Sequence, residues 1–91
     1  MLAYLPLVSG KSFEEAKKRV LELPNKPGND AMLELYALNK QATIGDINAD
    51  KPAMFDFVAA AKYNAWNAKK GLGKEEAQQQ YIDYVNGLFA S

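Results

Sequence analysis

The spacing of apolar residues along the chain predicts four helices. The first carries a single apolar stripe made of Phe13, Ala16, Val20 and Leu23, which recur three or four positions apart. Ser12, followed three residues later by Glu15, forms a capping-box pattern. We therefore expect this helix to begin at Ser12 and to run to about Leu23, before the proline-containing break that follows.

The second predicted helix differs from the first because it has two apolar faces. It is capped by Asn29 or Asp30, runs to about Ile44 and stops at Gly45. One face consists of Ala31, Leu35, Leu38 and Ala42, and the other of Met32, Leu33, Tyr36 and Lys40, joined by Thr43. A helix in a small domain usually has one buried face and one wet face. A second apolar face that includes a lysine indicates a site for a bound anion with an apolar tail.

The remaining pattern predicts an irregular connection and two further helices. The third helix begins between Pro52 and Phe57, ends at Gly71, and has Val58, Lys62 and Trp66 on one side. The fourth has an inward stripe made of Ala77, Tyr81, Tyr84 and Leu88, with Val85 beside it. The fold class predicted from the pattern is all-α, with four helices.

Composition narrows the possible functions. The chain has 91 residues, of which 48% are apolar, and this predicts one small domain with one core. It contains no cysteine and no histidine, so a serine-hydrolase triad and a cysteine nucleophile are excluded. The formal net charge is zero, which argues against a dedicated nucleic-acid binder.

The chain begins with an apolar stretch, and this stretch is too short to cross a membrane, which takes roughly 20 residues. We interpret residues 1–10 as an apolar N-terminal arm and residues 11–91 as the single domain. The run from Asp46 to Asp50 resembles the opening of a calcium loop, but Lys51 and Phe57 stand where that loop needs glycine and glutamate. No metal is expected, and Asp46 and Asn48 are predicted to hydrogen-bond local backbone instead.

Several longer stretches resemble the acyl-CoA-binding protein family. They are residues 36–48, 51–52, 55–57, 61–67, 70–71, 74–77 and 81–83, and the resemblance extends from about Phe13 to Val85. It implies a four-helix bundle of up-down-down-up topology that binds long-chain fatty acyl-CoA. It further implies a monomeric carrier in the cytoplasm, without a cofactor, catalytic activity, nucleic acid or stable membrane insertion.

The resemblance also implies roles for particular residues. It assigns Tyr36, Lys40, Lys62 and Tyr81 to the CoA head group and places Met32 and Leu33 near the acyl chain. By their positions, Asn39 is added to the head-group set, and Leu21 and Val58 to the acyl-chain set. Trp66 is assigned mainly to packing.

The chain departs from the family at several of these positions. Leu21 and Val58 stand where many members have lysine, Asn39 replaces a frequent aromatic residue, and Tyr63 replaces a common tryptophan. Leu21 and Val58 remove two phosphate contacts, or alternatively extend the apolar groove. A second hypothesis stays open, in which the same groove receives a partner helix as an interaction module.

Overall fold

The structure, a computed structural model, describes residues 10–90, with side chains from Ser12 onward. This part of the chain forms four helices, which are α1 (Gly10–Val20), α2 (Asn29–Thr43), α3 (Phe57–Asn67) and α4 (Lys74–Ala90). The predicted all-α class is confirmed. Gly10, which was assigned to the arm, begins α1, and residues 1–9 of the predicted arm lie outside the described residues. No helix among residues 10–90 has the length and apolar character needed to cross a bilayer.

Helix α2 is the central element because it packs on both α3 and α4, whereas α1 packs on α4. Its predicted face is buried at Leu35, Leu38 and Ala42, and a second buried row consists of Ala37 and Gln41. Two neighbouring helices cover two sides of α2, so its buried arc is wider than a single stripe.

The core lies between α1, α2 and α4. Its buried members are Phe13, Ala16, Leu35, Leu38, Ala42, Ala77, Tyr81 and Val85. The rings of Phe13 and Tyr81 meet edge-to-face with their centroids 5.1 Å apart, which joins α1 to α4. Tyr84 and Leu88 are only partly buried at the margin of this core.

Four predicted helix ends are wrong, namely both ends of α1, the start of α2 and the end of α3. Ser12 lies inside α1 and is not its cap, and α1 ends at Val20 rather than Leu23, because the following backbone forms tighter turns. Helix α2 begins at Asn29 itself, with Gly28 in the cap position and no side-chain cap bond.

Helix α3 ends at Asn67, earlier than the predicted Gly71. After Asn67 the backbone tightens, as the Lys69 N–H donates to the Trp66 carbonyl at 2.9 Å. At its start, the Asp56 side chain accepts a hydrogen bond from the Ala59 N–H at 3.1 Å. This cap defines the first residue of α3 within the range that the sequence left open.

The ends of α2 and α3 are held together at a junction formed by Gln41, Gly45, Asp46, Trp66 and Gly71. The Trp66 Nε1–H donates to the Gly45 carbonyl at 2.9 Å, and the Asp46 carboxylate accepts from the Gly71 N–H at 2.8 Å. The predicted left-handed stop at Gly45 is confirmed, with a φ of 99°. The prediction that Asp46 bonds local backbone is wrong, because its backbone partner lies in the turn before α4.

Gln41 is the most deeply buried member of this junction. Its Nε2 donates to the Asp46 carboxylate at 2.9 Å and to the Leu72 carbonyl at 2.8 Å. Its exposed fraction is 0%. The side chain therefore ties α2 to the turn that leads into α4.

These contacts change the acidity of Asp46. The Gly71 N–H, and after it the Gln41 amide, stabilise the carboxylate and lower the pKa of Asp46 below its ordinary value of 3.8, and Lys70 contributes in the same direction. The pKa of Asp46 is lower in the folded state than in the unfolded state. The ionised carboxylate therefore stabilises the fold fully at pH values above the unfolded-state pKa. This stabilisation is lost as the pH falls below 3.8 through the folded-state pKa.

We expect Asp46→Asn to lower the melting temperature at neutral pH, because the ionised acceptor at the junction becomes a neutral amide. The difference between the two proteins should shrink on acidification below the unfolded-state pKa. Thermal unfolding followed by circular dichroism over a pH series measures this, with Asp83→Asn as a control on α4, away from the junction. If the melting temperatures of the two proteins differed by the same amount at every pH, the charge of Asp46 would not contribute to the stability of the junction.

Candidate functional site

Two hollows lie where α2 faces α3, and a third lies between α2 and the connection that follows α1. The aromatic hollow, of about 200 Å³, is lined by Tyr36, Ile47, Ala49, Asp50, Pro52, Ala59, Lys62, Tyr63 and Trp66. The apolar hollow, of about 300 Å³, is lined by Asn29, Met32, Leu33, Phe57, Val58, Ala61 and Lys62. The distal hollow, of about 310 Å³, is lined by Val20, Leu21, Leu23, Asn25, Lys26, Pro27 and Met32.

Two shared side chains make these hollows one groove. Lys62 lines both the aromatic and the apolar hollow. Met32 lines both the apolar and the distal hollow, and it is 43% exposed. A methionine side chain is flexible and fits irregular apolar surfaces. A long ligand can therefore pass from the aromatic rings, beside Lys62 and across Met32, to the end of α1.

Both predicted lysines lie near the ring of Tyr36, although only Lys62 lines the aromatic hollow. The Lys40 and Lys62 ammonium groups lie 5.7 Å and 5.4 Å from the centre of the Tyr36 ring. Lys40 comes from the same helix as Tyr36, one turn further along, whereas Lys62 comes from α3. The pairing of α2 with α3 thus places two cations around one aromatic ring.

Neither lysine is neutralised by a carboxylate. The ion pairs within residues 10–90 are Lys69 with Glu34, at 2.6 Å, and Lys17 with Glu14, at 3.0 Å. Asp50 lines the aromatic hollow but forms no ion pair with Lys62 in the described part of the chain. The two ammonium groups are therefore available to an anion.

Trp66 forms the inner wall of the aromatic hollow. It is 5% exposed, and its Nε1–H is bonded to the Gly45 carbonyl as part of the junction. The Lys40 ammonium lies 5.9 Å from its ring. The indole therefore packs the α2–α3 interface and at the same time borders the space beside Lys40.

Tyr81 and Asn39 occupy different positions from the other predicted head-group residues. Tyr81 is 5% exposed, its ring belongs to the core, and burial raises the pKa of its hydroxyl above 10.0, so it is a neutral phenol at neutral pH. Asn39 is half-buried, and its carbonyl accepts a hydrogen bond from the Thr43 hydroxyl at 2.8 Å. Neither residue is among those lining the three hollows, so their roles stay predictions.

The four residues predicted to contact an apolar tail all line the groove. Leu33 and Val58 line the apolar hollow, Leu21 lines the distal hollow, and Met32 joins the two. Leu21 is 86% exposed and Val58 is 67% exposed. Apolar side chains this exposed on one surface typically mark a binding site.

Some groove residues were not predicted from the sequence. Ile47 and Pro52 belong to residues 45–52, which the pattern showed only as an irregular connection, and they line the aromatic hollow. Phe57 and Ala61 line the apolar hollow. They are four positions apart on α3, and that spacing was the available signal.

The groove is cationic and aromatic at one end and mainly apolar along the rest of its length. One end has aromatic faces and two ammonium groups that form no ion pair within residues 10–90, and these suit an aromatic ring and phosphate oxygens. The rest is lined mainly by leucine, methionine, valine and phenylalanine side chains. The arrangement suits an elongated ligand with an anionic aromatic head and an apolar tail, and within residues 10–90 no cluster of side chains could hold a metal ion.

Comparison with known proteins agrees with this description. The family model "Acyl CoA binding protein" matches residues 10–85. The chain is 49% identical over 79 residues to "Acyl-CoA-binding protein homolog 1" of Caenorhabditis elegans, which covers 87% of this chain and 92% of that protein. It is 48% identical over 83 residues to "Enoyl-CoA delta isomerase 2" of Homo sapiens, but this match covers only 21% of the isomerase.

A solved structure shows the same fold. The crystal structure of Oryza sativa Acyl-CoA-Binding Protein 2 superposes with a TM-score of 0.83 at 38% identity, and the match covers 88% of this chain and 89% of that one. This likeness confirms the predicted four-helix fold. Since the family model spans most of the chain and the nematode relative matches it along nearly its whole length, this chain belongs to the acyl-CoA-binding protein family.

Proposed function

We propose that this protein binds a long-chain fatty acyl-CoA in the groove and carries it, unchanged, as a monomer in the cytoplasm. The observation that supports this most directly is the continuity of the groove. At one end the ammonium groups of Lys40 and Lys62 flank Tyr36, and apolar side chains line the path from Lys62 to Leu21. The two ends of the groove thus match the two ends of an acyl-CoA.

The apolar part of the groove supplies most of the affinity in this proposal. Each methylene removed from water contributes about 0.8 kcal/mol, so a chain of about 15 methylenes offers on the order of 12 kcal/mol. Ordering the ligand and losing its free motion offset much of that amount. Because Leu21 and Val58 are apolar where many family members have lysine, this chain gains tail contacts there and gives up phosphate contacts.

The aromatic hollow determines how the ligand is oriented. The phosphates of CoA would bond to Lys40 and Lys62, and such charged hydrogen bonds contribute about 1.5–3 kcal/mol each. Tyr36 offers a face on which the adenine ring stacks, a contact of roughly 1–3 kcal/mol by analogy with nucleic-acid bases. Tyr81, as a neutral phenol, would serve as a hydrogen-bond donor.

The protein is proposed to act as a carrier and not as an enzyme. The groove contains no histidine or cysteine, because the chain has neither. No serine or threonine is among the residues lining the three hollows. A thioester bound there meets no serine, threonine or cysteine nucleophile and no histidine base among the residues that line the three hollows.

Titration calorimetry with three ligands tests this function. We expect palmitoyl-CoA to bind far more tightly than either free CoA or free palmitate, because only the intact thioester fills both parts of the groove. Comparable affinities for all three ligands, or no binding of palmitoyl-CoA, would rule the proposal out. Native mass spectrometry of the purified protein addresses the alternative, since an interaction module would carry no co-purified acyl-CoA.

A further inference from the structure

The connection between α2 and α3 exposes an unusual set of apolar side chains. The exposed fractions are 89% for Met54, 82% for Phe55, 79% for Phe57 and 67% for Val58. We refer to residues 54–58 as the apolar tip. Phe57 and Val58 line the apolar hollow, so a ligand tail would cover part of them. Met54 and Phe55 line none of the three hollows, and a bound ligand does not account for their exposure.

The backbone presents Met54 and Phe55 at the end of a turn. The Asp56 N–H donates to the Ala53 carbonyl at 3.0 Å, which closes a turn with Met54 and Phe55 as its two central residues. Such positions are normally occupied by glycine, proline, asparagine, aspartate or serine. Asp56 also caps α3, so the turn is anchored to a rigid helix.

We propose that the apolar tip docks on the surface of a phospholipid bilayer, with Met54 and Phe55 entering the apolar layer beneath the headgroups. This inference rests on the proposed function, because the ligand is one whose tail partitions into membranes. Docking places the open side of the groove against the bilayer from which an acyl-CoA is taken or to which it is delivered.

Continuity with the groove favours a lipid surface as the partner. Met54 and Phe55 lie beside Phe57 and Val58 in the chain, and these two residues share the apolar hollow with Met32. An acyl chain leaving the bilayer beside Met54 and Phe55 would therefore meet the apolar side chains of Phe57 and Val58 at the entrance to the hollow. Crossing open water instead costs about 0.8 kcal/mol for each exposed methylene.

The charges around the apolar tip do not favour a charged partner. The ionisable residues nearest in sequence are Asp50, Lys51, Asp56 and Lys62, whose charges cancel. Docking is therefore driven by apolar burial, with little dependence on anionic lipids or on salt. A protein partner would also bury these side chains, and the experiment below separates that outcome.

Transfer of palmitoyl-CoA from phosphatidylcholine vesicles to the protein, followed by stopped-flow fluorescence, tests the proposal. For the wild type we expect the transfer rate to rise with the concentrations of protein and vesicles, as it does when transfer occurs on contact. For Met54→Ser/Phe55→Ser we expect roughly a tenfold lower contact rate, which corresponds to about 1.4 kcal/mol. Ile44→Ser is the matched control, since Ile44 is also an exposed apolar residue but lines none of the three hollows.

Calorimetry in vesicle-free buffer separates this proposal from the function on which it rests. We expect wild type, the double variant and the control to bind palmitoyl-CoA equally well in that buffer. If the wild type does not bind it, the proposed function fails. If binding is normal but the transfer rate is independent of contact, or equal in wild type and double variant, the docking proposal alone is overturned, and a protein partner becomes the better explanation of the apolar tip.

Discussion

Replacing Trp66 by alanine is expected to destabilise the fold by about 3–5 kcal/mol, the usual cost of removing a large buried aromatic side chain. Trp66 is 5% exposed and is the one buried residue of α3. Its removal would leave a cavity between α2 and α3 and would break the hydrogen bond to Gly45. Because small domains have a total stability of about 5–15 kcal/mol, the variant should be partly unfolded at moderate urea concentrations.

The variant Trp66→Phe separates the contribution of ring packing from that of the hydrogen bond to Gly45. Phenylalanine keeps an aromatic ring in the interface but lacks the Nε1–H, so the Gly45 carbonyl loses its donor. We expect this change to cost about 1–2 kcal/mol. Urea denaturation of both variants, followed by far-ultraviolet circular dichroism, measures the difference. Similar midpoints for wild type and Trp66→Ala would mean that the α2–α3 interface does not depend on the indole.

Replacing Lys40 or Lys62 by alanine is expected to weaken palmitoyl-CoA binding by roughly 10- to 100-fold for each lysine. This range follows from the loss of about 1.5–3 kcal/mol of charged hydrogen bonding to the ligand phosphates. Both ammonium groups lie within 6 Å of the Tyr36 ring centre, at 5.7 and 5.4 Å, and neither has an ion pair in the described part of the chain. Each replacement should lower the free energy of unfolding by only about 0.5–1 kcal/mol, the contribution of an exposed cation–π contact.

Lys18→Ala provides the control for these variants. Lys18 is exposed on α1 and lines none of the three hollows. Its replacement removes the same charge from the protein without touching the groove, so affinity should be unchanged. If all three variants lost affinity equally, the attraction would come from overall charge and not from the aromatic hollow. Calorimetry and melting curves on the same samples distinguish lost binding from lost stability.

The junction between α2 and α3 contains a contact that the sequence pattern of a single helix cannot predict. The sequence predicted that Gly45 stops α2, because a residue after a helical pattern with no side chain favours a left-handed conformation. It did not predict that the carbonyl of the same residue accepts the Trp66 indole N–H. That contact joins residues 21 positions apart and exists only because α3 packs on α2.

The sequence by itself determined the helical class, most of the core and the shared face of Tyr36 and Lys40. Apolar periodicity and helical spacing report which residues of one helix point the same way, whatever else the chain does. Only the tertiary structure decided the helix ends, the placement of Lys62 beside Tyr36, the joining of the hollows through Met32, and the exposed turn at Met54 and Phe55. Each of these depends on contacts between separate elements, or on the path of a connection, and periodicity within one helix carries no information about either.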